Sequence, residues 1–131
     1  MKKILIVDDE RDLVDMLQLL LETFGFGVLT AYDGEAGLTL AQKEIPDLIL
    51  LDVMMPKMNG YEVCRTLKKE EKTKTIPVLM LSAKVQENDK FWGMEAGASD
   101  YITKPFDAQD LLAKIRFCLD GNQVGKGSSC I

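Results

Sequence analysis

Leu48-Ile49-Leu50-Leu51-Asp52 is an apolar run that stops abruptly at a carboxylate, and Val53-Met54-Met55-Pro56-Lys57-Met58-Asn59-Gly60 turns the chain directly after it. A run this short and this apolar predicts a strand buried on both faces, as in a parallel sheet. Open α/β sheets place their chemistry at the carboxyl ends of the strands. Asp52 stands at such an end, so the remaining sequence is read for what joins it there.

Upstream, Ile4-Leu5-Ile6-Val7 is a first strand that stops at Asp8-Asp9-Glu10. Leu13, Val14, Leu17, Leu20, Leu21 and Phe24 then recur at helical spacing, and Gly25 is a natural stop for that helix. Val28-Leu29-Thr30-Ala31 is a second strand, and Asp33-Gly34 leads into a helix over roughly Glu35 to Glu44 that Pro46 closes. Downstream of Asp52, Val63, Cys64 and Leu67 mark a third helix. It runs out into Lys68-Lys69-Glu70-Glu71-Lys72-Thr73-Lys74, read as a solvated charged segment. Pro77-Val78-Leu79-Met80-Leu81 is a fourth strand ending at Ser82. Phe91, Met94 and Ala98 give a weak helical stripe over roughly Gln86 to Ala96, broken by Gly97. Asp100-Tyr101-Ile102-Thr103 is a fifth strand ending at Lys104-Pro105. Asp107 then suits the N-cap of a last helix carrying Leu111, Leu112, Ile115, Cys118 and Leu119. Residues 121–131 read as a flexible tail or the start of a linker, which leaves 1–120 as one domain. Five strands alternating with five helices imply a parallel sheet with right-handed crossovers and helices on both faces.

Composition narrows the chemistry. With 131 residues, 47% of them apolar, the chain suffices for one core. No apolar run is long enough to cross a membrane, and the short run after Met1-Lys2-Lys3 is no signal peptide. The net charge is −5 without a basic stripe, so direct nucleic-acid binding is not expected. Cys64, Cys118 and Cys130 have no metal spacing; the first two read as core thiols and the third as a free one, which fits a reduced cytoplasmic setting. The chain has no histidine, which removes Ser-His-Asp and Cys-His catalysis and most transition-metal sites.

Four of the five strands end in a chemically competent residue: Asp8 and Asp9, Asp52, Ser82, and Lys104. In the doubly wound, flavodoxin-like order 2-1-3-4-5 the switch point lies between strands one and three. That order sets Asp8 and Asp9 beside Asp52 and leaves the strand without a polar end at the edge. Clustered carboxylates repel one another unless a cation is present. Mg²⁺ suits one or two carboxylates with waters and phosphate oxygens. An ammonium at Lys104 and a hydroxyl at Ser82 complete the parts needed for phosphoryl transfer, with Asp52 as nucleophile.

Taken together, Val7-Asp8-Asp9-Glu10, Asp52 with Met55-Pro56 and Asn59-Gly60, Ser82-Ala83-Lys84, Gly97-Ala98 with Asp100-Tyr101, and Lys104-Pro105-Phe106 resemble the receiver domain of bacterial two-component response regulators, over about Lys2 to Leu119. The resemblance implies that Asp52 accepts a phosphoryl group from a partner histidine kinase or histidine phosphotransfer protein. It implies Mg²⁺ held by Asp9, Asp52 and the Met54 carbonyl, with Asp8 acting largely through water. Lys104 would pair with the phosphoryl group, Ser82 would hydrogen-bond it, Tyr101 would be a switch aromatic, and the Lys104–Pro105 bond would be cis. The expected role is a signalling switch acting through its fourth helix, fifth strand and fifth helix on a downstream effector protein or domain, rather than a dedicated enzyme.

Further expectations concern the surface. Trp92 lies about 100° off the stripe of its helix, a candidate interface anchor or a residue folded back on a neighbouring helix. Lys90, Asp100, Asp110 and Lys114 resemble the ion-pair positions through which winged-helix regulators dimerise on phosphorylation, although Ser99 departs from that pattern. The other readings are a Mg²⁺-dependent aspartyl-phosphate phosphatase or phosphomutase and a receiver-like module that is never phosphorylated. The first wants a second acid where Met54 stands, and the intact acid set speaks against the second.

Overall fold

Leu48–Asp52 is a strand with all five residues buried, and it forms the centre of the sheet. The computed structural model describes residues 1–83 and 95–122. They comprise β1 (Lys3–Val7), α1 (Arg11–Thr23), β2 (Gly27–Ala31), α2 (Gly34–Glu44), β3 (Leu48–Asp52), α3 (Gly60–Lys69), β4 (Val78–Ser82), β5 (Asp100–Thr103) and α4 (Ala108–Leu119). All strand pairs are parallel and the order is β2-β1-β3-β4-β5. Glu95 and Ala96 are helical; the rest of the helix expected over 86–96, with Lys84, Lys90, Phe91, Trp92 and Met94, and also Cys130, lie outside the described residues.

The side-chain period of two divides the strands between two cores. Leu5, Val7, Ile49, Leu51, Val78 and Met80 face α2 and α3, with Leu38, Ala41, Val63 and Leu67. Ile4, Ile6, Leu48, Leu50, Leu79 and Leu81 face the other way, against Val14, Leu17 and Leu21 of α1 and Leu111, Leu112 and Ile115 of α4. Both faces of the sheet are therefore covered, which is why its strands read as unbroken apolar runs. Cys64 and Cys118 are free, buried thiols, one in each core.

Caps set where the helices begin. Asp33 accepts the Ala36 N–H at 2.7 Å. Asn59 and Glu62 form a reciprocal capping box that fixes the start of α3. Asp107 stands at the N-cap of α4 as expected, but its side chain makes no capping bond.

Two expectations need correction. Phe24 is 50% exposed rather than core, because α1 ends at Thr23 and the chain leaves the helical path before the stripe is complete. The segment 68–74 is not merely solvated. Thr73 is fully buried and its hydroxyl donates to the Leu67 carbonyl at 2.7 Å, closing the end of α3. Lys68 folds back, its Nζ donating to the Ile76 carbonyl at 2.6 Å and the Lys74 carbonyl at 3.2 Å. Its stem lies against Gly97, where a Cβ would come within 2.8 Å of it. A long aliphatic stem can cover apolar surface while its charged end finds carbonyls, and the local charge pattern conceals this.

Candidate functional site

The carboxyl ends of β1, β3, β4 and β5 gather the residues expected there, and the local sequence explains how each is held. The Asp8 N–H continues the ladder to the Ala31 carbonyl at 3.1 Å, so the first acid is fixed by β2. Its carboxylate is wholly buried and accepts the Glu10 N–H at 2.9 Å. Asp9, the next residue along, points to solvent. The Val53 N–H donates to the Leu81 carbonyl at 2.9 Å, carrying the β3–β4 ladder one residue past Asp52. The Gly60 N–H donates to the Val53 carbonyl at 2.9 Å and draws the capped start of α3 under the loop. Asp52 is thereby clamped on both sides and is 3% exposed.

Ligand oxygens of Asp8, Asp9 and Asp52 lie within 4.8 Å of one another. Lys104 Nζ reaches across to Asp8 at 2.8 Å, Glu10 at 3.0 Å and Asp52 at 3.3 Å. Its backbone N–H bonds the Ser82 carbonyl, and the Lys104–Pro105 bond is cis as expected. Ser82 is buried at the end of β4, level with Thr103 of β5. Tyr101 is buried in the α2–α3 core, together with Cys64, Ala96 and Met80. The Met54 side chain is 73% exposed, while its backbone hydrogen bond helps the Asp52 carboxylate.

Electrostatics follow from this crowding. Burial and the neighbouring Asp8 charge push the Asp52 carboxyl up to about 6, against the lowering effect of Lys104 and the Met54 backbone. Burial pulls Lys104 down, but hydrogen bonds to Asp8 and Glu10 and the charges of Asp52 and Asp8 more than reverse this and hold it above the ordinary lysine range. Among the described residues three carboxylates, those of Asp8, Glu10 and Asp52, share one ammonium and Asp9 lies beside them, an excess of negative charge that suits a divalent cation.

Glu10 is the member that the sequence reading did not assign. It follows Asp8 and Asp9 directly in the sequence, where nothing local gives it a role. Its contact with Lys104 spans 94 residues of sequence, so no local pattern announces it. Asp100, expected at a dimer face, is buried; it accepts the Tyr101 N–H at 2.8 Å and pairs with Lys114 of its own chain at 3.3 Å.

The family model for the response regulator receiver domain matches residues 4–116. The chain belongs to the response regulator receiver domain family. Among curated receiver proteins it is 48% identical to the alkaline phosphatase synthesis transcriptional regulatory protein PhoP of Bacillus subtilis, over 98% of this chain and 52% of that protein. It is 47% identical to the DNA-binding dual master transcriptional regulator RpaA of Synechocystis, over 91% of this chain and 49% of that one. The chain thus spans about half the length of these relatives. Among solved receiver structures, a signal receiver domain of a signal transduction histidine kinase from Syntrophus aciditrophicus superposes with a TM-score of 0.85 at 34% identity, covering 96% of this chain and 94% of that one. A CheY-like response regulator receiver domain protein from Methanospirillum hungatei gives 0.86 at 32% identity, covering 92% and 95%. These confirm the doubly wound fold of order 2-1-3-4-5. No helix among the described residues is long and apolar enough to cross a membrane.

Proposed function

We propose that this receiver domain is a phosphorylation-driven switch in which Asp52 is the phosphoacceptor. The observation that carries the reading is the Lys104 ammonium laid across Asp8, Glu10 and Asp52 at the carboxyl edge of the sheet. A partner supplies the donor: the chain has no histidine, so the phosphohistidine belongs to a histidine kinase or phosphotransfer protein. An Asp52 carboxylate oxygen attacks phosphorus, the P–N bond to the donor imidazole breaks, and an acyl phosphate forms. Lys104 lies within reach of the charge delivered to Asp52 and orients it, and Ser82 at the adjoining strand end donates its hydroxyl to a phosphoryl oxygen.

The acid cluster fits Mg²⁺, which Asp9, Asp52 and the Met54 carbonyl would hold, with Asp8 behind them. Bound there, the ion would neutralise charge on the phosphoryl oxygens and position them. Phosphorylation then shifts a pre-existing equilibrium toward an active arrangement of the face expected from the helix over 86–96, β5 and α4, with Tyr101 as the moving aromatic. The output belongs to an effector protein or domain. The transcriptional regulators among the relatives support a DNA-directed effector; residues 121–131 are then the start of a linker to it, or a flexible tail where the effector is a separate protein. The domain assists its own phosphorylation without being a dedicated enzyme.

The test is intact-mass analysis after incubation with acetyl phosphate, with Mg²⁺, with EDTA, and for Asp52→Asn with Mg²⁺. A single adduct confined to the wild-type sample with Mg²⁺ is the expected result. No adduct in any sample, with Mg²⁺ binding shown separately, would leave a receiver that acts as an unphosphorylated interaction module.

A further inference from the structure

An ammonium offers three N–H donors and accepts nothing. Lys104 has three carboxylate partners, Asp8 at 2.8 Å, Glu10 at 3.0 Å and Asp52 at 3.3 Å, one for each donor. A phosphoryl oxygen arriving at Asp52 therefore has to displace one of them. Asp8 is fully buried, and among the described residues Lys104 is its one cationic partner, so losing that contact strands a buried charge. Asp52 carries the arriving group and stays beside Lys104. The Glu10 side chain is 62% exposed, and water takes over its carboxylate as it leaves.

We propose that Glu10 is a placeholder for the phosphoryl group: it occupies the third donor of Lys104 in the resting state and is the partner exchanged when Asp52 is phosphorylated. Glu10 sits at the N-cap of α1 and makes no capping bond with its side chain, so its carboxylate is free to move without unmaking the helix. It acts through Lys104 and never on phosphorus, which makes it a positioning residue. Its hold on the ammonium has to be broken for the transfer, so loosening it speeds phosphorylation. The inference rests on the phosphoacceptor reading given above.

Two variants separate contact from charge. Glu10→Gln removes the charge; Glu10→Asp keeps it but falls one methylene short of Lys104. The first readout uses the metal-free protein: the rate at which trace acetic anhydride acylates the Lys104 amine, read by peptide mass spectrometry. The second is the rate of Asp52 phosphorylation by acetyl phosphate with Mg²⁺. Both variants are expected to raise both rates by about two- to fivefold, the range spanned by an exposed ion pair, with unchanged thermal unfolding. Rates equal to wild type in both variants would overturn the proposal. So would Glu10→Asp behaving as wild type while Glu10→Gln accelerates, because the field of the charge rather than the contact would then be responsible. A wild-type protein that is phosphorylated while its variants are unaltered removes the placeholder alone. A wild-type protein that takes no phosphoryl group removes the phosphoacceptor reading and this inference with it.

Discussion

Gly60 rests directly on the backbone of Asp52. A Cβ at Gly60 would overlap the Asp52 carbonyl oxygen and come within 3.0 Å of its carbonyl carbon and 2.9 Å of the Val53 Cα. The contact is with backbone, so no side-chain rotation can relieve it. The start of α3 therefore sets the height at which Asp52 stands.

Gly60→Ala is expected to push the Asp52 loop outward despite the better helix propensity of alanine. Overpacking of this kind costs about 1–3 kcal/mol, which chemical denaturation will register. The initial rate of Mg²⁺-dependent phosphorylation by acetyl phosphate should fall in the same variant, because the nucleophile is displaced. A variant as stable and as fast as wild type would show that the loop has slack.

Asp52 is expected to make folding stability pH-dependent in the metal-free protein. Its carboxyl titrates near about 6 when folded, against an ordinary 3.8. A carboxyl whose pKa is raised on folding binds its proton more tightly in the native state. Its contribution is therefore most favourable below about pH 4, declines between about 4 and 6, and is lost above that. Asp52→Asn should thus be more stable than wild type near pH 7, by about 3 kcal/mol, and no more stable near pH 4. Thermal unfolding across that range checks the sign. With the wild-type protein, Mg²⁺ affinity and phosphorylation rate should both rise as pH passes through about 6, when Asp52 becomes anionic.

Lys104→Met removes the cation from Asp8, Glu10 and Asp52 at once. Unpairing a buried charge costs about 3–5 kcal/mol, so the metal-free variant should melt well below wild type. Mg²⁺ should raise its melting temperature by more than it raises that of wild type, since a cation then returns to an uncompensated acid cluster. Equal increments for the two proteins would argue against a shared electrostatic role for metal and lysine.

Ile45 ends α2 in the left-handed region, at φ 45°, with 43% of its surface exposed. A β-branched residue is strained there, whereas asparagine adopts that conformation readily. Ile45→Asn is expected to stabilise the fold by about 1 kcal/mol, read as a higher denaturant midpoint with an unchanged slope. The site lies at the opposite end of α2 from the acidic edge, so phosphorylation should be unaffected.

The strands, their parallel order and the identity of the residues at their ends were legible in the sequence. Burial on both faces leaves an unbroken apolar run, and a strand end is marked by the first polar residue, so both signals are local. The acidic cluster could be inferred as well, because the strand order alone brings Asp8, Asp9 and Asp52 to one edge. What only the tertiary structure decided depends on distances across the fold. Glu10 joins the site through a lysine 94 residues away. Gly60 is needed because of the Asp52 backbone it touches. Asp100 is closed off by Lys114 of its own chain, and Thr73 is buried inside a segment whose composition reads as solvent-facing. Periodicity reports which face a residue takes, but the partner it meets there is set by the packing of elements remote in sequence, and that packing gives the acidic edge its single ammonium among the described residues.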